Sequence, residues 1–160
     1  MNPPTPLYLE DFYPGFRLVT STRTITESDV MAFASLTGDD NPLHTDADFA
    51  RTTPFGQRVA HGLLGLAVAL GLATRGGLLA GSVLAFREIV AWKFMKPVFF
   101  GDTIHAELEV SAARELPGIN AGLVDWNVRV KNQRDEVVMK GIWRALILKK
   151  GEQTHGAANS

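Results

Sequence analysis

The sequence predicts an α+β fold in which an antiparallel β-sheet wraps around one long apolar helix. Three observations predict it. The run from Gly62 to Thr74 carries Leu63, Leu64, Leu66, Val68, Leu70 and Leu72 and no charged residue, and a helix without a polar face is built to be covered on all sides. Most of the chain beyond it alternates apolar and polar residues with a period of two. These alternating segments follow one another with only short turns between them, the signature of an antiparallel sheet.

In chain order, residues 1–6 are proline-rich and expected to be flexible, as is the polar tail 151–160, so that one folded unit spans 7–150. Arg17 to Ile25 reads as a short strand. Thr26 to Thr37 reads as a helix: Thr26 is its cap, Asp29 completes a capping box, Val30, Phe33, Ala34 and Thr37 form one packing face, and Gly38 supplies the stop. Asp46 to Arg51 is a short helix with Thr45 as its cap. Gly62 to Thr74 is the apolar helix, ended at Arg75-Gly76-Gly77. Ser82 to Phe94 is a strand. Ile104, Ala106, Leu108, Val110 and Ala112 form the dry face of the next, and Val124, Trp126, Val128 and Val130 that of another. Val137 to Leu148 is the last strand. Gly101-Asp102 and Leu116-Pro117-Gly118 are turns.

Composition narrows the function. The chain has 160 residues, 46% apolar and 21% charged, enough for one hydrophobic core. Sixteen basic and seventeen acidic residues leave a net charge of −1, which offers no general attraction to nucleic acid or an anionic membrane. The absence of cysteine rules out disulfides, thiolate metal sites and a cysteine nucleophile. The N-terminus has no basic and apolar leader pattern, and the longest apolar stretch falls short of the roughly 20 residues that span a bilayer. A cytoplasmic protein is expected. The four histidines show no metal-ligand spacing, so no metal is expected. The glycine-rich run 76–82 lacks the lysine of a phosphate loop and reads as a turn.

The segment with chemical potential is Gly38-Asp39-Asp40-Asn41-Pro42-Leu43-His44. On a continuous helix, Asp39 and His44 would face different ways. The Asn41-Pro42 break, where the residue before proline is driven out of the α region, lets both side chains enter one pocket. A carboxylate beside a neutral imidazole suits the holding and deprotonation of water. Composition alone equally describes a polar turn.

Phe33-Ala34-Ser35-Leu36-Thr37-Gly38-Asp39-Asp40-Asn41-Pro42-Leu43-His44-Thr45-Asp46 resembles the hydratase motif of the MaoC-like dehydratases, the (R)-specific enoyl-CoA hydratases. Val59-Ala60-His61-Gly62-Leu63-Leu64 and Phe94-Met95-Lys96-Pro97-Val98-Phe99-Phe100-Gly101-Asp102-Thr103 resemble two further signatures of that family, in the same order. The resemblance spans Leu9 to Leu148 and implies the hotdog fold. It implies a hydro-lyase that reversibly hydrates trans-2-enoyl-CoA to (R)-3-hydroxyacyl-CoA. Asp39 and His44 would hold the water, with Asp39 as base and Asp40 a bystander. The Gly62 backbone N–H would bind the thioester carbonyl at the helix N-terminus. Asn41 and His61 enter as supporting residues, holding the turn and the strand-to-helix corner. No cofactor is implied, because coenzyme A is part of the substrate. Some family members carry a serine five residues after the motif glycine; here that position is Ala67. Arg87, Lys93 and Lys96 are candidates for the phosphates of coenzyme A.

Two other readings share this architecture. A hotdog thioesterase generally places a carboxylate on the central helix, and no Asp or Glu lies between Gly62 and Gly81. A non-catalytic acyl-binding subunit would not need an intact Asp39/His44 pair. Phe86, Trp143 and Ile147 are too apolar to leave wet, so a homodimer or higher homo-oligomer is expected to cover them.

Overall fold

The computed structural model of the protein describes residues 6–75 and 81–151. The proposed flexible termini lie outside them except for Pro6 and Gly151, as does most of the glycine-rich run. After a 3-10 turn at Leu9–Asp11 come β1 (Arg17–Val19), β2 (Arg23–Thr24), α1 (Glu27–Thr37), α2 (Pro42–Thr45), α3 (Ala47–Arg51), α4 (Gly62–Arg75), β3 (Val83–Phe94), β4 (Thr103–Glu115), β5 (Ala121–Lys131) and β6 (Val137–Leu148). The sheet runs β1-β4-β5-β6-β3, with β2 also on β4, and every pairing is antiparallel. Among the described residues no helix is long and apolar enough to cross a membrane.

The sheet buries one face against α4. Ile104, Ala106, Leu108 and Val110 of β4 meet Val124, Trp126, Val128 and Val130 of β5 in a core that includes Leu64, Val68, Ala69, Leu72 and Ala73 of α4. The expected dry face of β4 fails at its end. A register shift between Val110 and Ala112 inserts an extra residue, so Ala112 turns outward and Ala113 packs against the core instead. The expected first strand divides into β1 and β2, whose registers on β4 are separated by a break.

Two expectations about burial are corrected. The helix α4 is covered on one side only: Leu63 and Ala67 are exposed, because the sheet of one chain reaches a single flank. Trp143 and Ile147 need no second chain, since both point into the core of their own (2% and 0% exposed). Of the three residues expected to be covered by a partner, only Phe86 is exposed. Several of the exposed apolar residues share the edge strand β3: Leu84, Phe86, Ile89, Val90 and Phe94.

Candidate functional site

The helix α1 delivers Asp39. Thr26 caps it, accepting from the Asp29 N–H while the Asp29 side chain accepts from the Thr26 N–H. At its other end Gly38 adopts φ 76°, a left-handed conformation that reverses the chain and that glycine enters without penalty. Asp39 follows at once, exposed, with its N–H on Thr37 Oγ1 at 3.3 Å.

Pro42 does more than break a helix: it starts α2. Asn41 Oδ1 accepts from Leu43 N–H at 3.0 Å, and Pro42 takes the first helical position, where its missing N–H costs nothing. His44 therefore sits within this one-turn helix rather than ahead of α3. The cap of α3 is Asp46, which accepts from the N–H groups of Asp48 and Phe49, and not Thr45, whose hydroxyl is turned back onto the Asp40 and Asn41 carbonyls. The Asn41 side chain thus caps α2.

His44 is tied to the segment preceding α4. Its Nδ1 lies 2.7 Å from Val59 O, and Val59 N–H donates to Leu43 O. A carbonyl only accepts, so Nδ1 carries a proton, and in the neutral ring Nε2 keeps a lone pair. The ring of His61 lies against that of His44, with centroids 3.8 Å apart and planes at 33°. His61 Nε2 lies 2.8 Å from the Asp39 backbone carbonyl and 4.0 Å from its carboxylate. His61 is buried (3% exposed), and its Nδ1 has no hydrogen-bond partner among the described residues, an arrangement that costs about 1–3 kcal/mol.

Asp39, His44 and His61 thus form one cluster, with a carboxylate oxygen and two ring nitrogens within 4.8 Å of one another. Such a donor set invites comparison with a metal centre, a grouping invisible to sequence spacing. The two imidazoles lie nearly face to face, so their lone pairs run side by side rather than converging on one ion, and His61 Nε2 is already committed to a carbonyl.

A cavity of about 470 Å³ opens beside this cluster at the start of α4. His61 and Gly62 line it, Met139 is buried at its base, and Phe55, Leu63, Phe94 and Met95 form an exposed apolar rim. Asp39 and His44 do not line it; His61 is the residue shared by the cavity and the cluster. A Cβ on Gly62 would lie 2.7 Å from the Phe94 ring, so glycine lets that ring close over the first turn of the helix, whose N–H groups have no intrahelical acceptor. Of the three candidate cations only Lys96 lines the cavity, and it pairs with Glu136 at 2.6 Å. Lys93 lies by a separate hollow with Arg129 and Lys140, and Arg87 is exposed on β3. Ala67 is exposed and offers no hydroxyl. Sequence reasoning assigned no site role to Phe55, Phe94, Met95 or Met139. Phe94 and Met95 stand in the third family signature, whereas Phe55 and Met139 carry no local signal.

A family model described as "MaoC like domain" matches residues 14–132. Relatives include a 3-hydroxybutyryl-CoA dehydratase of Methylorubrum extorquens, 40% identical over 66% of this chain and 64% of its own length. An (R)-specific enoyl-CoA hydratase of Rhodospirillum rubrum is 36% identical over 65% and 69%. Alignments with the curated relatives named as MaoC proteins, hydratases or CoA dehydratases span 30% to 69% of their lengths. Among solved structures, a monoamine oxidase regulatory protein of Archaeoglobus fulgius superposes with a TM-score of 0.85 at 41% identity, covering 91% of this chain and 97% of that one. A double-hotdog protein of Mycobacterium tuberculosis superposes at 0.80 and 23% identity, covering 96% and 47%, a likeness of fold alone. The antiparallel sheet around α4 is a hotdog fold.

Proposed function

Because the chain belongs to the MaoC-like dehydratase family, we propose that it is a hydro-lyase catalysing the (R)-specific, reversible hydration of a trans-2-enoyl-CoA to a 3-hydroxyacyl-CoA. The observation that carries this reading is the fixed tautomer of His44. With Nδ1–H donating to Val59 O, the free Nε2 can accept one hydrogen of a water while the Asp39 carboxylate accepts the other. The water's lone pair is then free to attack.

In the hydration direction the water oxygen bonds to the β-carbon as its proton passes to Asp39. The electron pair of the double bond moves toward the thioester carbonyl, and the resulting enolate oxygen is held by the Gly62 N–H at the positive end of α4. A proton returns from the pair to the α-carbon on the same face. One water is thereby divided between C–OH and C–H, and the pair regains its starting state. Dehydration reverses each step. The steps are one addition of a water oxygen and the accompanying proton transfers, with no net oxidation or reduction, so the reading needs no cofactor beyond the coenzyme A of the substrate. The apolar rim suits an acyl chain or a pantetheine arm, and Lys96 is the cation positioned to meet a phosphate.

Purified protein is expected to consume the conjugated absorbance of crotonyl-CoA or of a longer enoyl-CoA, and chiral analysis to find the (R)-alcohol. Asp39→Asn should lower kcat by about 100-fold or more. Unchanged turnover in that variant would remove Asp39 from the mechanism. The reading includes a homodimer, supported by the uncovered apolar residues of β3 and the open flank of α4.

A further inference from the structure

We infer that His61 is a positioning residue that fixes both members of the Asp39/His44 pair, one through a hydrogen bond and the other through its ring. The inference rests on the hydratase reading and adds a residue to its machinery.

His61 is itself well anchored. The preceding Ala60 N–H donates to Val98 O at 2.8 Å, Val59 bridges to Phe99, and the His61 carbonyl accepts from Gly65 N–H in the first turn of α4. Its ring lies between Phe33 of α1, at 4.9 Å, and His44 of α2, at 3.8 Å. Three elements that reach the site by separate routes therefore meet on one imidazole.

Each contact restrains a different freedom. Asp39 follows a left-handed glycine in an exposed turn, where its own N–H is held only at 3.3 Å. The His61 Nε2–H on its carbonyl, at 2.8 Å, is the shorter, part-buried restraint on the same residue's backbone. His44 is held in its plane by the bond to Val59 O, but that bond leaves the ring free to rock about it; the His61 face blocks the rocking on one side. A ring that only filled space would serve better as phenylalanine, because His61 Nδ1 is buried with no partner among the described residues. A histidine retained at that cost is explained by the donor on its other edge.

Two variants separate the contacts. His61→Phe keeps a ring against His44 and loses the donor; His61→Gln keeps a donor and loses the ring. For crotonyl-CoA hydration both should lose kcat, by about 10- to 100-fold, as displacement of a reacting group by about 1 Å does, with KM changed less than about threefold. The Tm of His61→Phe should stay level or rise while its kcat falls, and long-range 1H–15N spectra should show the His44 Nδ1–H tautomer pattern of the wild type perturbed in His61→Gln. Wild-type kcat in His61→Phe, Tm losses that parallel kcat losses in both variants, or a raised KM at constant kcat would overturn the inference. If the wild type hydrates no enoyl-CoA, the hydratase reading fails. The spectra then decide the positioning role alone: His44 and Asp39 signals altered by both substitutions uphold it, and signals unchanged by them overturn it.

Discussion

Two adjacent acids, Asp39 and Asp40, differ in what their backbone carbonyls meet. Both are exposed, but the His61 ring contacts the carbonyl of the first, whereas among the described residues the carbonyl of the second receives the Thr45 hydroxyl. Asp40→Asn is accordingly expected to leave kcat within about twofold of wild type, the range of an ordinary surface change, in the same crotonyl-CoA assay that registers loss in Asp39→Asn. A residue of another kind is Asp125. The Arg144 guanidinium grips both its oxygens, at 2.7 and 2.8 Å, and this hydrogen bonding holds the carboxyl below its ordinary value of 3.8. A carboxyl lowered by folding contributes stability that is present above about pH 4 and lost as the pH falls through the folded value. Asp125→Asn should therefore cost about 1–2 kcal/mol at neutral pH and less at pH 3. Denaturant unfolding at the two pH values checks this; an equal loss at both would assign the effect to packing instead.

At the scale of the element, the sheet was legible because burial on one face writes a period of two into β4, β5 and β6, and α1 because its cap, box and terminal glycine are local chemistry. What was not legible was interruption. The shift between Val110 and Ala112 leaves the alternation looking intact in the sequence while it rotates the side chains. The helix α2 is one turn long, too short for periodicity, and Pro42 looked like a break when it was a start. The candidate pair could be picked out from residues 33–46, but the cavity could not, since Phe55, His61, Phe94 and Met139 converge on it from distant segments. Close contact between elements was equally hidden. A Cβ on Gly141 of β6 would lie 2.0 Å from the Ala91 carbonyl oxygen and 2.4 Å from the Trp92 ring. The first neighbour is backbone and cannot swing aside, so Gly141→Ala must push β3 off β6. A destabilisation of about 1–3 kcal/mol is expected, lowering Tm by roughly 2–4 °C per kcal/mol. A Tm equal to wild type would mean that β3 is held loosely.

For the whole molecule, one group of exposed apolar residues shares a single strand. Leu84, Phe86, Ile89, Val90 and Phe94 all lie on β3, one of the two outer strands of the sheet. An outer strand with apolar side chains can pair without limit, and fibres are the usual result. Here the pairing of β3 with β6 shifts register three times, between Val83 and Ala85, Phe86 and Glu88, and Ile89 and Ala91. Repeated bulges twist an edge and interrupt its hydrogen-bonding row, which suits a closed, two-fold contact of one copy with another better than an open stack. The cavity bears on the same point. Phe94 belongs both to this strand and to the cavity rim, so a second copy seated on β3 would also wall the mouth of the cavity. Light scattering is therefore expected to give a homodimer or an assembly of dimers. Leu84→Glu combined with Val90→Glu should shift it toward monomer and raise KM for enoyl-CoA, because the rim loses its outer wall. A wild-type monomer with full activity would refute the dimer, and a monomeric double variant with unchanged KM would show that the cavity is complete within one chain.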